Sequence, residues 1–344
     1  MEDNDKIPMQ TQENRPDAND DLLQQLKALT AYTVEDDRFL PDLGCRGYVL
    51  RHNKSGARIA LLPNNDNNKV FYIGFRTPPE DSTGVAHIIE HTVLCGSRDF
   101  PVKDPFIEVV KGSLNTFLNA MTYPDKTVYP VASTNEKDFA NLMHVYLDAV
   151  FHPNIYTNES IFRQEGWHYE VKDEEGKTPE VVINGVVYNE MKGVMSSPDD
   201  VLNDAVLASL YPDTTYSIVS GGDPEVIPEL SYEQYLAFHK RFYHPSNAYL
   251  YLYGDMDVLE RLCFIDEKYL SDYDLLEVDS EIRPQEPFTA PVQKEKYYSI
   301  LPEEDERERH TSPGMWPCRS TEMPKKFWPS GFSIMCCATQ REHR

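Results

Sequence analysis

Between Gly84 and Gly96 the chain reads as a helix that is apolar almost all round, yet it carries two histidines and a glutamate. Val85, Ile88, Ile89, Thr92 and Val93 leave little of its circumference for water, so most of this helix must be buried. Ser82 or Thr83 is the expected cap and Gly96 the expected stop. Burying imidazoles and a carboxylate costs desolvation unless the groups are paired or coordinated. A simple surface helix is therefore excluded, and the polar groups need a common partner.

His87-Ile88-Ile89-Glu90-His91 has the form H-x-x-E-H. Residues four apart face the same way on a helix, so both imidazoles can converge on one ion, and Glu90 lies on the same side. A divalent ion lowers the pKa of a water it binds. A neighbouring carboxylate can take that water's proton as it attacks a carbonyl and return it to a leaving amine. The plainer alternative makes His87 and His91 core histidines bonded to backbone, with Glu90 exposed; it leaves three polar groups on one apolar helix with no shared cause. A tetrahedral site with water in its fourth place needs a third protein ligand. Spacing leaves that ligand open among Glu190, Glu165, Glu170 and His168, while His144 and His152 read more simply as surface or helix-end histidines.

Elsewhere the pattern alternates between strands and helices. Gly47–Arg51, Ala57–Leu62 and Lys69–Phe75 read as strands of an antiparallel meander, the last two separated by the turn-forming run Asn64–Asn68. Lys137–Phe151, Glu159–Glu165 and Asp199–Leu210 read as helices, and Ser231 with Gln234 forms a capping box for another that ends near Phe242. Ala248–Tyr253 is uniformly apolar and reads as a central strand covered on both faces.

Charge narrows the partners. Thirty-three Lys and Arg against 57 Asp and Glu give a net charge of −24, a sign that repels phosphate backbones and anionic lipid, so no nucleic-acid and no membrane partner is expected. No apolar run reaches the length of a membrane span. The six cysteines include no CxxC pair, which favours reduced thiols over a disulfide scaffold. The first 25 residues hold seven acids against Lys6 and Arg15. This fits neither a secretory signal nor a transit peptide, so a loose acidic arm and a cytoplasmic location are expected.

Gly84–Ser97, followed by Gly185-Val186-Val187-Tyr188-Asn189-Glu190-Met191-Lys192-Gly193, resembles the pitrilysin/insulinase family of zinc metallopeptidases, in its presequence-protease branch. The resemblance covers about Tyr32 to Ile300. It implies an α/β (α+β) fold of two layers, a mostly antiparallel sheet with helices packed on it. It also implies one Zn2+ per chain, with His87, His91 and Glu190 as ligands and Glu90 as general base. Leu118–Thr122 resembles the family's substrate-pairing edge strand, which sets Asn119 and Ala120 against short or unfolded peptides. The expected organisation is an arm over 1–25, a catalytic domain over 26–270, a linker over 271–293, the start of a truncated second domain over 294–302, and an atypical tail over 303–344 whose composition fits a shifted reading frame. In the family a C-terminal half supplies an Arg and a Tyr that stabilise the tetrahedral intermediate. The expected function is thus a zinc-dependent endopeptidase in an incomplete copy. The alternative is a non-catalytic scaffold or processing subunit of the same fold, against which the intact His87, Glu90, His91 and Glu190 argue. The branch also makes an organellar matrix a second candidate location.

Overall fold

The structure is a computed structural model that describes residues 16–102, 105, 111–173, 178–290, 294, 296 and 297. It opens with helix α1 (Pro16–Ala28), which starts at Pro16 rather than near Leu22; proline suits the first turn, where its missing N–H has no partner to lose. The rest of the expected acidic arm, and the tail over 303–344, lie outside the described residues.

Strand β1 (Tyr32–Leu40) follows, and no reading of the sequence had placed it. Its run Glu35-Asp36-Asp37-Arg38 looks like a loop, but β1 is an edge strand, where charged side chains can face water. It pairs antiparallel with β2 (Cys45–His52), and cross-strand pairs Arg46–Asp37 and Arg51–Glu35 tie the two together. Next come β3 (Arg58–Pro63) and β4 (Lys69–Arg76), then helix α2 (Val85–Val93), which carries the H-x-x-E-H run. Strands β5 (Asn115–Leu118) and β6 (Met121–Thr122) both pair with β7 (Lys126–Ser133), which leads into α3 (Glu136–Phe151) and α4 (Glu159–Glu165). A separate hairpin, β8 (His168–Lys172) and β9 (Glu180–Asn184), precedes α5 (Val186–Val194). After α6 (Pro198–Leu210) and α7 (Tyr232–Phe242), β10 (Ala248–Gly254) returns to the sheet and α8 (Val258–Lys268) closes the fold.

The main sheet has the order β1-β2-β3-β10-β4-β7-β5, with β6 also on β7. It is antiparallel throughout except where β10 runs parallel to β3. The expected meander is therefore broken. β3 and β4 are joined by the Asn64–Asn68 turn but are not neighbours, because β10 enters between them from far along the chain. The reason is burial: Ala248, Leu250 and Leu252 alternate onto the covered face, where they meet Ile59, Leu61, Phe71 and Ile73.

That covered face carries the helices, and the two-layer architecture matches the expected fold class. The opposite face of β10 is not covered: Tyr249 is 44% exposed and Tyr251 and Tyr253 are half-buried, so alternation, not two-sided burial, describes this strand. The capping box of α7 is formed as expected by Ser231 and Gln234, and Asn135 caps α3. At α2 neither Ser82 nor Thr83 is the cap; Gly84 takes that place in a left-handed conformation at φ 70°. Beyond residue 272 the described residues form no helix or strand, and the stretch is fastened to the domain: the Ser280 hydroxyl donates to Asn247 Oδ1 at 2.8 Å, and the Leu276 N–H donates to Ser246 Oγ at 2.9 Å.

One buried histidine joins the helices. His239 Nε2–H donates to the Val150 carbonyl at 3.1 Å and its Nδ1 accepts from the Tyr156 hydroxyl at 2.7 Å, which requires the neutral ring. Burial pulls its pKa from 6.5 down to about 3, against the opposing pull of the Val150 carbonyl. The unfolded chain takes up this proton below about pH 6.5, whereas the folded chain holds it off until about pH 3. Stability is thus lost as pH falls through that window, by at most about 1.4 kcal/mol per pH unit. Urea unfolding at pH 7 and pH 5 is expected to show a smaller loss of stability in His239→Gln than in the wild type; equal losses contradict the assignment.

Candidate metal centre

Helix α2 packs against β6, β7, α4 and α7, and these neighbours determine where its polar side chains point. The Gly84 cap lies on the loop Gly221-Gly222: a Cβ on Gly84 would stand 2.8 Å from the Gly221 carbonyl oxygen and 2.9 Å from the Gly222 Cα. That close approach, together with the positive φ, requires glycine at position 84. The Gly221 carbonyl accepts from His87 Nδ1–H at 2.9 Å. On the next turn, His91 Nδ1 is 3.3 Å from Glu165 Oε2, and Gln164 Nε2 holds the other oxygen of Glu165 at 2.8 Å. Each imidazole therefore has its Nδ1 proton directed at an oxygen behind it, which leaves Nε2 as a free lone pair on the opposite side.

Those two Nε2 atoms face one carboxylate. His87 Nε2 is 3.8 Å from Glu190 Oε1 and His91 Nε2 is 3.8 Å from Glu190 Oε2. The ring centroids of His87 and His91 stand 4.9 Å apart at 78°. Ligand atoms of His87, His91 and Glu190 all lie within 4.8 Å of one another, the one such group able to hold a metal among the described residues. Gaps of this size are too long for hydrogen bonds and only slightly wider than the roughly 3.4 Å edge of a tetrahedron with ligands about 2.1 Å from its centre. Two neutral nitrogens and a carboxylate oxygen are the donor set that a zinc-like dication takes.

The electrostatics agree. Burial alone would favour a neutral His91, but the hydrogen bond to Glu165 and the charges of Glu90, Glu165 and Glu190 outweigh it and raise its pKa above the ordinary histidine value. Three carboxylates around two imidazoles give an excess of negative charge that a divalent cation offsets. The centre opens on one side: the side chain of His87 is almost closed off, whereas that of Glu190 is 49% exposed.

Glu90 is buried, and its Oε2 accepts from the Thr122 hydroxyl on β6 at 2.6 Å. That contact fixes one carboxylate oxygen. Asn119 and Ala120 lie between β5 and β6 on the rim of the sheet. The Asn119 N–H donates to the Pro130 carbonyl at 3.2 Å and its carbonyl accepts from the Tyr146 hydroxyl at 3.0 Å, so its main chain is turned inward. Among the described residues, the Ala120 N–H is held by the exposed Asn119 Oδ1 at 2.9 Å.

Of the ligands that spacing left open, Glu165 stands behind His91 instead of beside Glu190, and Glu170 bonds Asn184 on the hairpin. His168 Nδ1 is 2.8 Å from the Arg163 carbonyl, His144 pairs with Asp99, and His152 stacks on Tyr269. Sequence reasoning missed Gly84, Gly221 and Thr122. The adjacent pair Gly221-Gly222 in a polar loop was the one visible signal, since paired glycines mark a close approach of backbone.

Comparison with known proteins gives the family of the chain. The family described as "Insulinase (Peptidase family M16)" matches residues 70–219, and its companion described as "Peptidase M16 inactive domain" matches residues 229–325. The chain belongs to the insulinase (M16) peptidase family. The second match runs to residue 325, so the resemblance does not end near Ile300 as expected, and residues 303–325 belong to the matched stretch. "Protein HypA" of Clostridium perfringens is 56% identical over 266 residues, covering 77% of this chain and 27% of that protein. "Presequence protease 1, chloroplastic/mitochondrial" of Arabidopsis thaliana is 45% identical over 301 residues, 86% of this chain and 27% of that one. "Presequence protease, mitochondrial" of Drosophila melanogaster is 46% identical over 266 residues, 77% and 26% respectively. The M16 chain therefore aligns with the presequence-protease branch and spans about a quarter of the length of these curated relatives. Among solved structures, the crystal structure of pitrilysin has a TM-score of 0.56 at 17% identity over 77% of this chain and 26% of its own, a likeness of fold. No helix among the described residues is long and apolar enough to cross a membrane.

Gly84→Ala and Glu165→Ala each disturb the oxygen behind one imidazole without touching its Nε2. Both are expected to weaken metal affinity by about 10- to 100-fold, as measured by competition with a chromophoric chelator, with the circular dichroism unchanged. Wild-type affinity in both variants contradicts the role given to Gly221 and Glu165.

Proposed function

We propose that this chain is the metal-bearing part of a zinc-dependent endopeptidase that acts on short or unfolded peptides. The observation that carries the reading is the convergence of His87 Nε2, His91 Nε2 and the Glu190 carboxylate, with both Nδ1 atoms already committed to oxygens. Zinc held there supplies Lewis-acid polarisation of a peptide carbonyl and a lowered pKa for water. Glu90 takes the proton of the attacking water and delivers it to the departing amine. The Thr122 hydroxyl on its Oε2 keeps that carboxylate in one rotamer and leaves Oε1 for the proton. Ala120 offers the peptide a main-chain donor once the Asn119 side chain swings off it, and the extended backbone adds to the sheet edge in the manner of β-augmentation. Asn119 acts in this scheme through its side chain, its main chain being spent on Pro130 and Tyr146.

The relatives are about three times as long, so turnover by this chain alone is proposed to be low and dependent on a further portion of the enzyme. The names of the plant and insect relatives favour an organellar matrix, where unfolded peptides occur. The scaffold alternative gains nothing from a buried Glu90 held by Thr122.

Metal content and cleavage of a quenched unfolded peptide separate these readings. Wild type is expected to hold about one zinc per chain. Glu190→Gln is expected to lose the metal, and Glu90→Gln to keep it while losing about 100-fold or more of any turnover. Undiminished cleavage by Glu90→Gln contradicts the general-base role. Zinc-loaded wild type that cleaves nothing even when the C-terminal portion of a relative is added favours the scaffold.

A further inference from the structure

The helix that carries Glu190 is seated on the domain by few side chains. Along α5 the buried residues are Val187 and Met191, one turn apart on a single face, while Glu190 beside them is half-exposed. Met191 is 6% exposed, and its thioether lies over the main chain of Gly221: a Cβ on Gly221 would stand 2.9 Å from both Sδ and Cε. Gly222 has a left-handed backbone at φ 107°, but Gly221 does not. What forbids a side chain at 221 is therefore Met191, not the conformation of the chain.

Gly221 is also the residue whose carbonyl accepts from His87 Nδ1–H. The loop Gly221-Gly222 is thus clamped, with the Gly84 cap of α2 against one side and the Met191 thioether of α5 against the other. A chain of contacts runs from Glu190 through Met191 and Gly221 to His87, and it closes across the 3.8 Å gap between His87 Nε2 and Glu190 Oε1. A long, unbranched and polarisable side chain suits such a seat on bare backbone. With Met191 cut back, Val187 is the one fully buried side chain left on α5, and the helix can tilt toward or away from α2.

We infer that Met191 is a positioning residue of the metal centre: its thioether, seated on Gly221, sets the distance between the Glu190 carboxylate and His87 Nε2. The inference rests on the metal-binding reading above, and its test does not depend on cleavage. The full chain is titrated with Zn2+ in competition with a chromophoric chelator. It is also loaded with Co2+, whose visible absorption is strong in a tetrahedral site and weakens as the coordination number rises. Met191→Ala is expected to bind Zn2+ about tenfold more weakly or worse and to give a fainter Co2+ spectrum, with the circular dichroism unchanged. Met191→Leu, which keeps the volume, is expected to restore both.

Gly221→Ala leaves every ligand and Met191 itself in the chain but puts a methyl group where the thioether sits. It is expected to weaken affinity as Met191→Ala does, and it decides the question if Met191→Ala fails to fold. Because the methyl group and the thioether compete for one place, Gly221→Ala combined with Met191→Ala is expected to lose less than the two single losses together. Met143→Ala truncates a fully buried methionine on α3; it is expected to lower thermal stability and to leave affinity and spectrum as in wild type. Wild-type affinity in Met191→Ala or Gly221→Ala, additive losses in the double variant, or an equal loss in Met143→Ala overturns the positioning role and leaves the metal centre standing. A wild-type chain that takes up neither ion removes the centre itself, and the inference with it.

Discussion

Burying His87, Glu90 and His91 on an apolar helix is the constraint on which the rest of this structure depends. Each is a group that water solvates well, and each loses that solvation inside the domain. Every one of the three is met by an oxygen or hydroxyl from a different element: Gly221 from the loop before α7, Glu165 from α4, and Thr122 from β6. Helix α2 cannot keep its burial unless these elements are in place, so the fold of the domain and the geometry of the centre are one problem. Glu190 is the exception that gives the centre its use. It is half-exposed on α5 and leaves the two Nε2 lone pairs facing a gap instead of a hydrogen bond.

How the sheet is ordered explains why this centre can meet an extended chain. Inserting β10 between β3 and β4 places an apolar strand in the middle and leaves β5 and β6, both paired to β7, at the rim. The short β6 then does two things at once. Its Thr122 holds Glu90, and its neighbour Ala120 has a main-chain N–H bonded, among the described residues, by an exposed side chain. In the proposed reading, a peptide added to that rim would lie beside the strand whose Thr122 holds Glu90. The hairpin β8–β9 springs from the same region, with its neck between the helices that bear Glu165 and Glu190.

Much of this was legible before any coordinates, and the reasons differ by residue. His87, Glu90 and His91 could be read because helical spacing puts them on one side of one short segment, so no long-range information is needed. Glu190 could not be chosen over Glu165 on spacing, because both are acids near the end or middle of a helix; what separates them is that Glu165 stands at the His91 Nδ1 while Glu190 faces both Nε2 atoms, a tertiary fact. Family resemblance supplied it. Strand β1 was missed because its charges mimic a loop, while its edge position makes those charges harmless. The meander failed for a related reason: local turn chemistry at Asn64–Asn68 says that two strands are joined, not that they pair, and β10 arrives from nearly two hundred residues away. Asn119 was placed against the peptide by resemblance, whereas hydrogen bonds to Pro130 and Tyr146 show its main chain facing inward.

X-ray absorption at the zinc edge of the purified full chain addresses the central claim most directly, because it reports the atoms around the ion without reference to activity. The geometry of His87, His91 and Glu190 predicts a first shell of nitrogen and oxygen only, at about 2.0–2.2 Å, with the outer-shell scattering of two imidazoles. A sulfur shell near 2.3 Å, a single imidazole, or a protein that takes up no zinc contradicts it.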